Sequence, residues 1–188
     1  MSDEAMETYL AYSEVYKKTQ RAYLRRTDFL RWSYVGDQIG SRGAILDVGV
    51  GAGQFVNLLS KVQPSFESIT GLDLSPHSGF LDLSKSITMD YASVTDMPFK
   101  DGQFETVTCM EVIEHLGNQD MLVAIAELRR VTDSKLILTV PYCEKEPLPH
   151  FHKQRYTRRR LNKLFPNAEF TYFSSHKDMA WVMIEETY

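Results

Sequence analysis

The stretch Ala44 to Phe55, reading AILDVGVGAGQF, restricts the fold more than any other part of the chain. A short apolar run passes through Asp47 and Val48 into glycines at 49, 51 and 53, and a helical apolar pattern follows at once. Glycine tolerates positive φ and lets a ligand approach the main chain with no Cβ in the way. The helix start that follows presents unpaired N–H groups. A strand, a glycine turn and a helix in this order build the nucleotide crevice of an open α/β sheet. The glycine spacing narrows the choice of nucleotide. Gln54 stands where the dinucleotide fingerprint requires its third glycine, which counts against a nicotinamide oxidoreductase, and no phosphate loop with its Gly-Lys-Ser/Thr ending occurs.

Four more stretches extend the pattern in order. Gly71-Leu72-Asp73-Leu74-Ser75-Pro76 ends a second strand on an acid, 26 positions after Asp47 and near the spacing of a βαβ unit. A carboxylate at a strand tip can accept both hydroxyls of a ribose, without phosphate or metal. Ser93 to Phe99 reads SVTDMPF, Phe104 to Leu116 reads FETVTCMEVIEHL, and Val140-Pro141 closes a fifth strand. Taken together, these motifs resemble the class I S-adenosylmethionine-dependent methyltransferases, of the type 11/12 kind that includes the ubiquinone-type O-methyltransferases. The resemblance covers about residues 40 to 188 and implies a Rossmann-like, doubly wound sheet of seven strands. That sheet is α/β and mostly parallel, with a C-terminal antiparallel hairpin and N-terminal cap helices.

Periodicity fills in the elements. Met6, Tyr9, Leu10, Tyr16, Tyr23 and Leu24 have helical spacing, as do Phe29, Trp32, Val35 and Ile39 in a second helix, for which Thr27 is the expected N-cap. The chain is then one domain, with residues 1–40 as a helical cap and 41–188 as the core. Tyr9, Tyr12 and Tyr16 could reach the substrate, although packing of the cap on the domain explains them more simply. A helix through Phe55 to Val62 ends before Pro64. Only Phe80, Leu81 and Leu83 precede a third strand at Ile87 to Tyr91, a thinner segment than the family's usual helix. Strand four, Phe104 to Met110, alternates enough to be half buried. A helix with Asn118 and Asp120 at its start carries Met121, Leu122, Ile125, Leu128 and Val131. Lys135 to Val140 reads as a strand buried on both faces. Thr157 opens a further helix that Pro166 ends, and Ala168–Ser174 and Ala180–Glu186 form the final strands.

The resemblance implies S-adenosyl-L-methionine as cofactor and assigns its contacts. Asp47, Gly49, Val50, Gly51 and Gly53 fall at the methionine end, and Asp73 with Leu74 at the ribose. Ser93, Val94, Asp96 and Met97 fall at the adenine, with Asp90 a further candidate because the family's usual adenine-binding acid is replaced by Ser93. Met110 and Glu111 lie beside the cofactor. Methyl transfer needs alignment of nucleophile and methyl group, and proton removal where required. His115, with an ordinary pKa of about 6.5, is the preferred base, and Glu111 and His152 are the further candidate catalytic residues. The expected acceptor is a small molecule, methylated at oxygen or nitrogen, with no metal.

Two alternatives remain open. Glu111, Glu114 and His115 with His150 or His152 resemble the Mg²⁺ set of the small-RNA 2′-O-methyltransferases, where Lys153, Arg155, Arg158, Arg159 and Arg160 would meet phosphates. Against that, Mg²⁺ prefers all-oxygen ligands, and a formal net charge of −4 does not suit bulk nucleic-acid binding. The arginines read more simply as a solvated helix face. The second alternative is a non-catalytic cofactor-binding regulator. No apolar run approaches the ~20 residues of a membrane span, the acidic start MSDEAMETY lacks a secretion pattern, and Cys109 and Cys143 read as reduced core thiols. A cytoplasmic protein without membrane attachment is expected.

Overall fold

The computed structural model describes residues 26–40, 42–62, 66–80, 87–174 and 180–188. The expected helix before residue 26, with Tyr9, Tyr12 and Tyr16, lies outside these residues, as do Pro64, Leu81 and Leu83.

The described chain runs α1 (Arg26–Gln38), β1 (Ala44–Val48), α2 (Gln54–Val62), β2 (Ser68–Asp73), β3 (Ile87–Tyr91) and β4 (Phe104–Met110). A 3₁₀ turn (Ile113–His115) leads into α3 (Asn118–Val131), β5 (Thr132–Pro141), α4 (Arg158–Leu164), β6 (Glu169–Ser174) and β7 (Ala180–Thr187). The seven strands form one sheet in the order β3-β2-β1-β4-β5-β7-β6. β3 through β5 pair in parallel, and β7 runs antiparallel to both β5 and β6. Strand order therefore reverses at β1, between β2 and β4, which is where an open α/β sheet binds its ligand. Val48 pairs with Leu72 on one side and Cys109 on the other, so the three strands end side by side and their following loops share one edge.

Two apolar layers explain why the central strands are apolar on both faces. On one face Leu46, Val48, Val107 and Leu138 pack with Ile125 and Leu128 of α3 and Leu161 of α4. On the other, Ile45, Ile69 and Ile137 pack with Val35 of α1 and Phe55, Val56 and Leu59 of α2. Each such side chain is worth about 1.5–3 kcal/mol when fully buried.

Four local expectations need correction. Thr27 lies inside α1 rather than ahead of it. β4 is not half buried: only Glu105 is exposed, because helices cover both faces of the central sheet. β5 starts at Thr132, three residues early, because α3 runs straight into it and Thr132 pairs with Phe104 across an irregular register. Cys109 is buried, but Cys143 is exposed, since the chain has left the sheet after Pro141 and turns there with φ 51. Thr157 does cap α4, its side chain accepting from the Arg160 N–H. That helix stops at Leu164, as the residue before a proline resists helical geometry. Arg158 and Arg159 are exposed, whereas Arg160 is held by Gln154 and Asn118.

Candidate active site

The turn after β1 is set by backbone. Gly49, Gly51 and Gly53 have φ of 82, 55 and 85, the left-handed region that strongly favours glycine. The first two serve different needs. A Cβ on Gly49 would stand 2.3 Å from Val112 Cγ2, so that glycine permits the turn to pack against the loop after β4. A Cβ on Gly51 would meet nothing within 4 Å and would project into open space. The Gly51 N–H donates to Asp73 Oδ2 (2.8 Å) and the Leu74 N–H to Oδ1 (2.7 Å), which fixes the carboxylate at the tip of β2.

A cavity of about 310 Å³ opens here. Its floor and one wall are Val48, Gly49, Gly51, Leu72, Asp73 and Leu74. Ala92, Ser93 and Val94 close the side, and Glu111, Val112, His115 and Leu116 form the opposite wall. Of the residues expected at the cofactor, Gly49, Gly51, Asp73, Leu74, Ser93, Val94 and Glu111 thus meet at one cavity. Asp47, Val50, Gly53, Asp90, Asp96, Met97 and Met110 do not line it.

Two of the residues off the cavity have tasks beneath it. Asp47 is 2% exposed and accepts a 2.7 Å hydrogen bond from the Thr108 hydroxyl. Burial pushes its carboxyl up to about 7; Thr108 opposes the rise and the nearby Asp73 charge adds to it. Met97 belongs to the core, and its N–H donates to the Glu127 carboxylate. Arg130 binds that carboxylate and the carbonyls of Met97 and Phe99, so the loop that carries Ser93 and Val94 is tied to α3.

The opposite wall is made by side chains. Glu111 follows β4 with φ 55. Its N–H donates to the Thr139 carbonyl, its carboxylate accepts from the Thr139 hydroxyl (3.1 Å), and Arg31 of α1 lies 3.4 Å from its other oxygen. The 3₁₀ turn then buries Glu114, which is 1% exposed, and presents His115. The loop after β5 folds back onto this turn: the N–H groups of Lys153 and Gln154 donate to the Glu114 carbonyl, and Gln154 Nε2 donates to the Leu116 carbonyl. His152 thereby comes beside His115, the ring centroids 5.1 Å apart. His115 Nδ1 is bonded to the Phe151 carbonyl (3.0 Å), and His152 Nδ1 to the Glu144 carboxylate (2.8 Å). One donor atom each from Glu114, His115 and His152 lies within 4.8 Å of the others; Glu111 and His150 are not part of this group.

Sequence reasoning missed Arg31 and Glu144. Arg31 is far away in the chain and only the packing of α1 brings it to Glu111; Glu144 sits eight residues before His152 with no motif around it. Val112 and Leu116 were legible as part of the string after β4, yet their place in the cavity wall depends on the 3₁₀ turn.

Residues 46–138 match the family model described as a methyltransferase domain. The chain is 29% identical over 118 residues to the ubiquinone biosynthesis O-methyltransferase of Xanthomonas euvesicatoria pv. vesicatoria, a match covering 58% of this chain and 48% of that one. It spans about half the length of the curated relatives it matches. Among solved structures, the cyclase SpnF superposes with a TM-score of 0.74 at 15% identity, covering 89% of this chain and 83% of that one. A small RNA methyltransferase superposes with a TM-score of 0.68 at 19% identity, covering 89% of this chain and 26% of the other. At these identities the structural likenesses speak for the fold. No helix among the described residues is long and apolar enough to cross a membrane.

Proposed function

Because the chain belongs to the class I S-adenosylmethionine-dependent methyltransferases, we propose that it methylates a small-molecule acceptor at oxygen or nitrogen. The observation that carries this reading is the single cavity with Gly51 and Asp73 at one end and His115 at the other. The residues present suit the cofactor. The open space in front of Gly51 admits a ligand against the backbone, and Asp73 keeps acceptor capacity for ribose hydroxyls beside its two backbone bonds. Ser93 and Val94, which line the same cavity, would meet the adenine edge. When bound, S-adenosylmethionine supplies a methyl group activated by sulfonium.

The chain's own residues then position and deprotonate the acceptor. With Nδ1 facing the Phe151 carbonyl, His115 carries its proton there and keeps a lone pair on Nε2, which lies 3.8 Å from the Glu114 carboxylate. That nitrogen is the proton acceptor on the cavity wall. Glu111, fixed by Thr139 and Arg31, holds the wall in place. The net charge of −4 does not suit bulk nucleic-acid binding and so favours a small acceptor; the name of the ubiquinone biosynthesis O-methyltransferase relative points in the same direction.

Incubation with radiolabelled S-adenosylmethionine and a fractionated cell extract tests the reading. Label should enter the small-molecule fraction and require His115. Label confined to RNA or protein would overturn the acceptor class, and protein that binds the cofactor but labels no fraction would make it a regulator.

A further inference from the structure

We infer that Glu127 and Arg130 of α3, which do not line the cavity, set the affinity for the adenosine half of the cofactor by holding the loop between β3 and β4. Their effect rests on the adenine lying against Ser93 and Val94, as proposed for this cavity. The loop, residues 92–103, contains neither helix nor strand, and its first residues, Ala92, Ser93 and Val94, close one side of the cavity. Such a segment keeps one shape only where its backbone polar groups find partners. The Ala92 N–H donates to the Asp73 carbonyl (3.0 Å), and the Asp96 N–H to the Ser93 carbonyl (3.0 Å). The Ser93 hydroxyl meets the Thr95 hydroxyl and accepts from the Thr95 N–H. At Met97, Phe99 and Gly102 the partners lie outside the loop, on α3.

Glu127 and Arg130 stand three apart and so on one face of the helix. Arg130 Nε donates to Glu127 Oε1 (2.6 Å) and Nη2 to Oε2 (2.8 Å), a two-point pair. The same Oε2 accepts the Met97 N–H (3.0 Å). The other guanidinium hydrogens enter the loop: Nη2 donates to the Met97 carbonyl (3.1 Å), and Nη1 to the Phe99 carbonyl (2.7 Å) and to Asp101 Oδ1 (2.9 Å). All five donors of the fork are thereby used. The Arg130 carbonyl in turn accepts the Gly102 N–H (2.8 Å). The bond to Arg130 lowers the Glu127 carboxyl below its ordinary value, so it stays an acceptor at neutral pH.

The hold reaches the cavity through packing. Met97, fixed at both its N–H and its carbonyl, is 4% exposed, and Ala92, Val94 and Phe99 pack on the core cluster that contains it. Phe99 also meets the Phe104 ring edge to face. Behind them α3 is a rigid base, because Met121, Ile125 and Leu128 are buried against the sheet. Arg129, the neighbour in sequence, takes no part: it pairs with Glu186 of β7 and the Leu164 carbonyl. A loop that is already ordered leaves the ligand less to order on binding, which appears as affinity. Glu127 and Arg130 are therefore positioning residues, acting on the adenine through Ser93 and Val94.

The test combines calorimetry with S-adenosylmethionine and with adenosine and hydrogen exchange read at Thr95, Asp96 and Met97. Arg130→Ala should weaken both ligands by about 10-fold, the scale of ordering a loop on binding, and should quicken exchange at all three amides. Arg130→Lys keeps the charge without the planar fork, and Glu127→Gln keeps an acceptor for the Met97 N–H. Each should lose less affinity than Arg130→Ala, and either keeps the test valid where that variant does not fold. Arg129→Ala breaks a comparable ion pair on the same helix. It should lower the melting temperature while affinity and exchange in the loop stay as in wild type. Equal affinity in wild type, Arg130→Ala and Glu127→Gln would overturn the inference, as would an equal loss in Arg129→Ala, which would make the effect one of general stability. A wild-type protein that binds no S-adenosylmethionine would instead defeat the cofactor assignment of the cavity, and the inference with it.

Discussion

The Gly51–Asp73 end and the His115 end of the cavity meet at Val112 but are held by different means. The first is built by backbone: positive φ at Gly49 and Gly51, a missing Cβ, and two N–H groups that pin Asp73. The second is built by side chains from four places in the chain, with Arg31, Glu111, Thr139 and the histidines gripped by one another and by carbonyls. A backbone site accommodates whatever shares the common part of its ligand. A side-chain site is specific to one partner and changes with single substitutions. The same fold can therefore keep its cofactor and vary its acceptor.

Substitutions that act on one end only sharpen this division. The largest effect is expected from Gly51→Val, which adds a branched side chain where the ligand meets the main chain. S-adenosylmethionine should give no binding heat in calorimetry while the far-ultraviolet circular dichroism stays native, and normal affinity would remove the assignment of this turn. His115→Ala should lower turnover by roughly 10²-fold or more, the usual worth of a positioned proton-transfer group. Cofactor affinity should stay as it is, and a parallel loss of affinity would mean that the two ends are not separable. Asp73→Asn keeps the shape and removes the charge, so affinity should fall roughly 10–100-fold, as expected for hydrogen bonds to a charged group.

The smallest effect on function is expected at Asp47, under the turn rather than in it. Its carboxyl titrates at about 7 when folded, against 3.8 for the unperturbed group. Between those values the folded state binds the extra proton, so stability falls as pH rises from about 4 to about 7 and then levels off. Asp47→Asn should flatten that part of a denaturation-midpoint profile and leave cofactor affinity nearly unchanged. A profile as steep as wild type would show that Asp47 does not carry the proton.

The same division decides what the sequence discloses. Glycines at alternate positions, Asp73 at a strand tip and the strands themselves are local properties, so the sheet and the Gly51–Asp73 end are readable from spacing. Burial of Asp47 and Met97 is not: both stand in motifs that the family resemblance assigns to the cofactor, yet tertiary packing turns one toward Thr108 and the other into the core. Glu114 resembles Glu111 in the string EVIEH, but a single 3₁₀ turn sends one to the cavity and the other beneath it. Cys143 lies two residues beyond a buried strand, and where the strand ends decides its exposure. Loop-to-loop pairings such as Glu144 with His152 have no periodicity to announce them.

Glu111 sits in the left-handed region that costs a side chain about 1–2 kcal/mol. Three partners hold it there: the Thr139 carbonyl, the Thr139 hydroxyl and Arg31. Glycine would be the easier residue for the backbone at this position, so a search for thermostable variants would tend to arrive there and would lose the carboxylate from the cavity wall. Stability and chemistry pull in opposite directions at this one residue. On the proposed methyl-transfer reading, a chain that no longer needs this carboxylate on the cavity wall would be free to relax residue 111 to glycine.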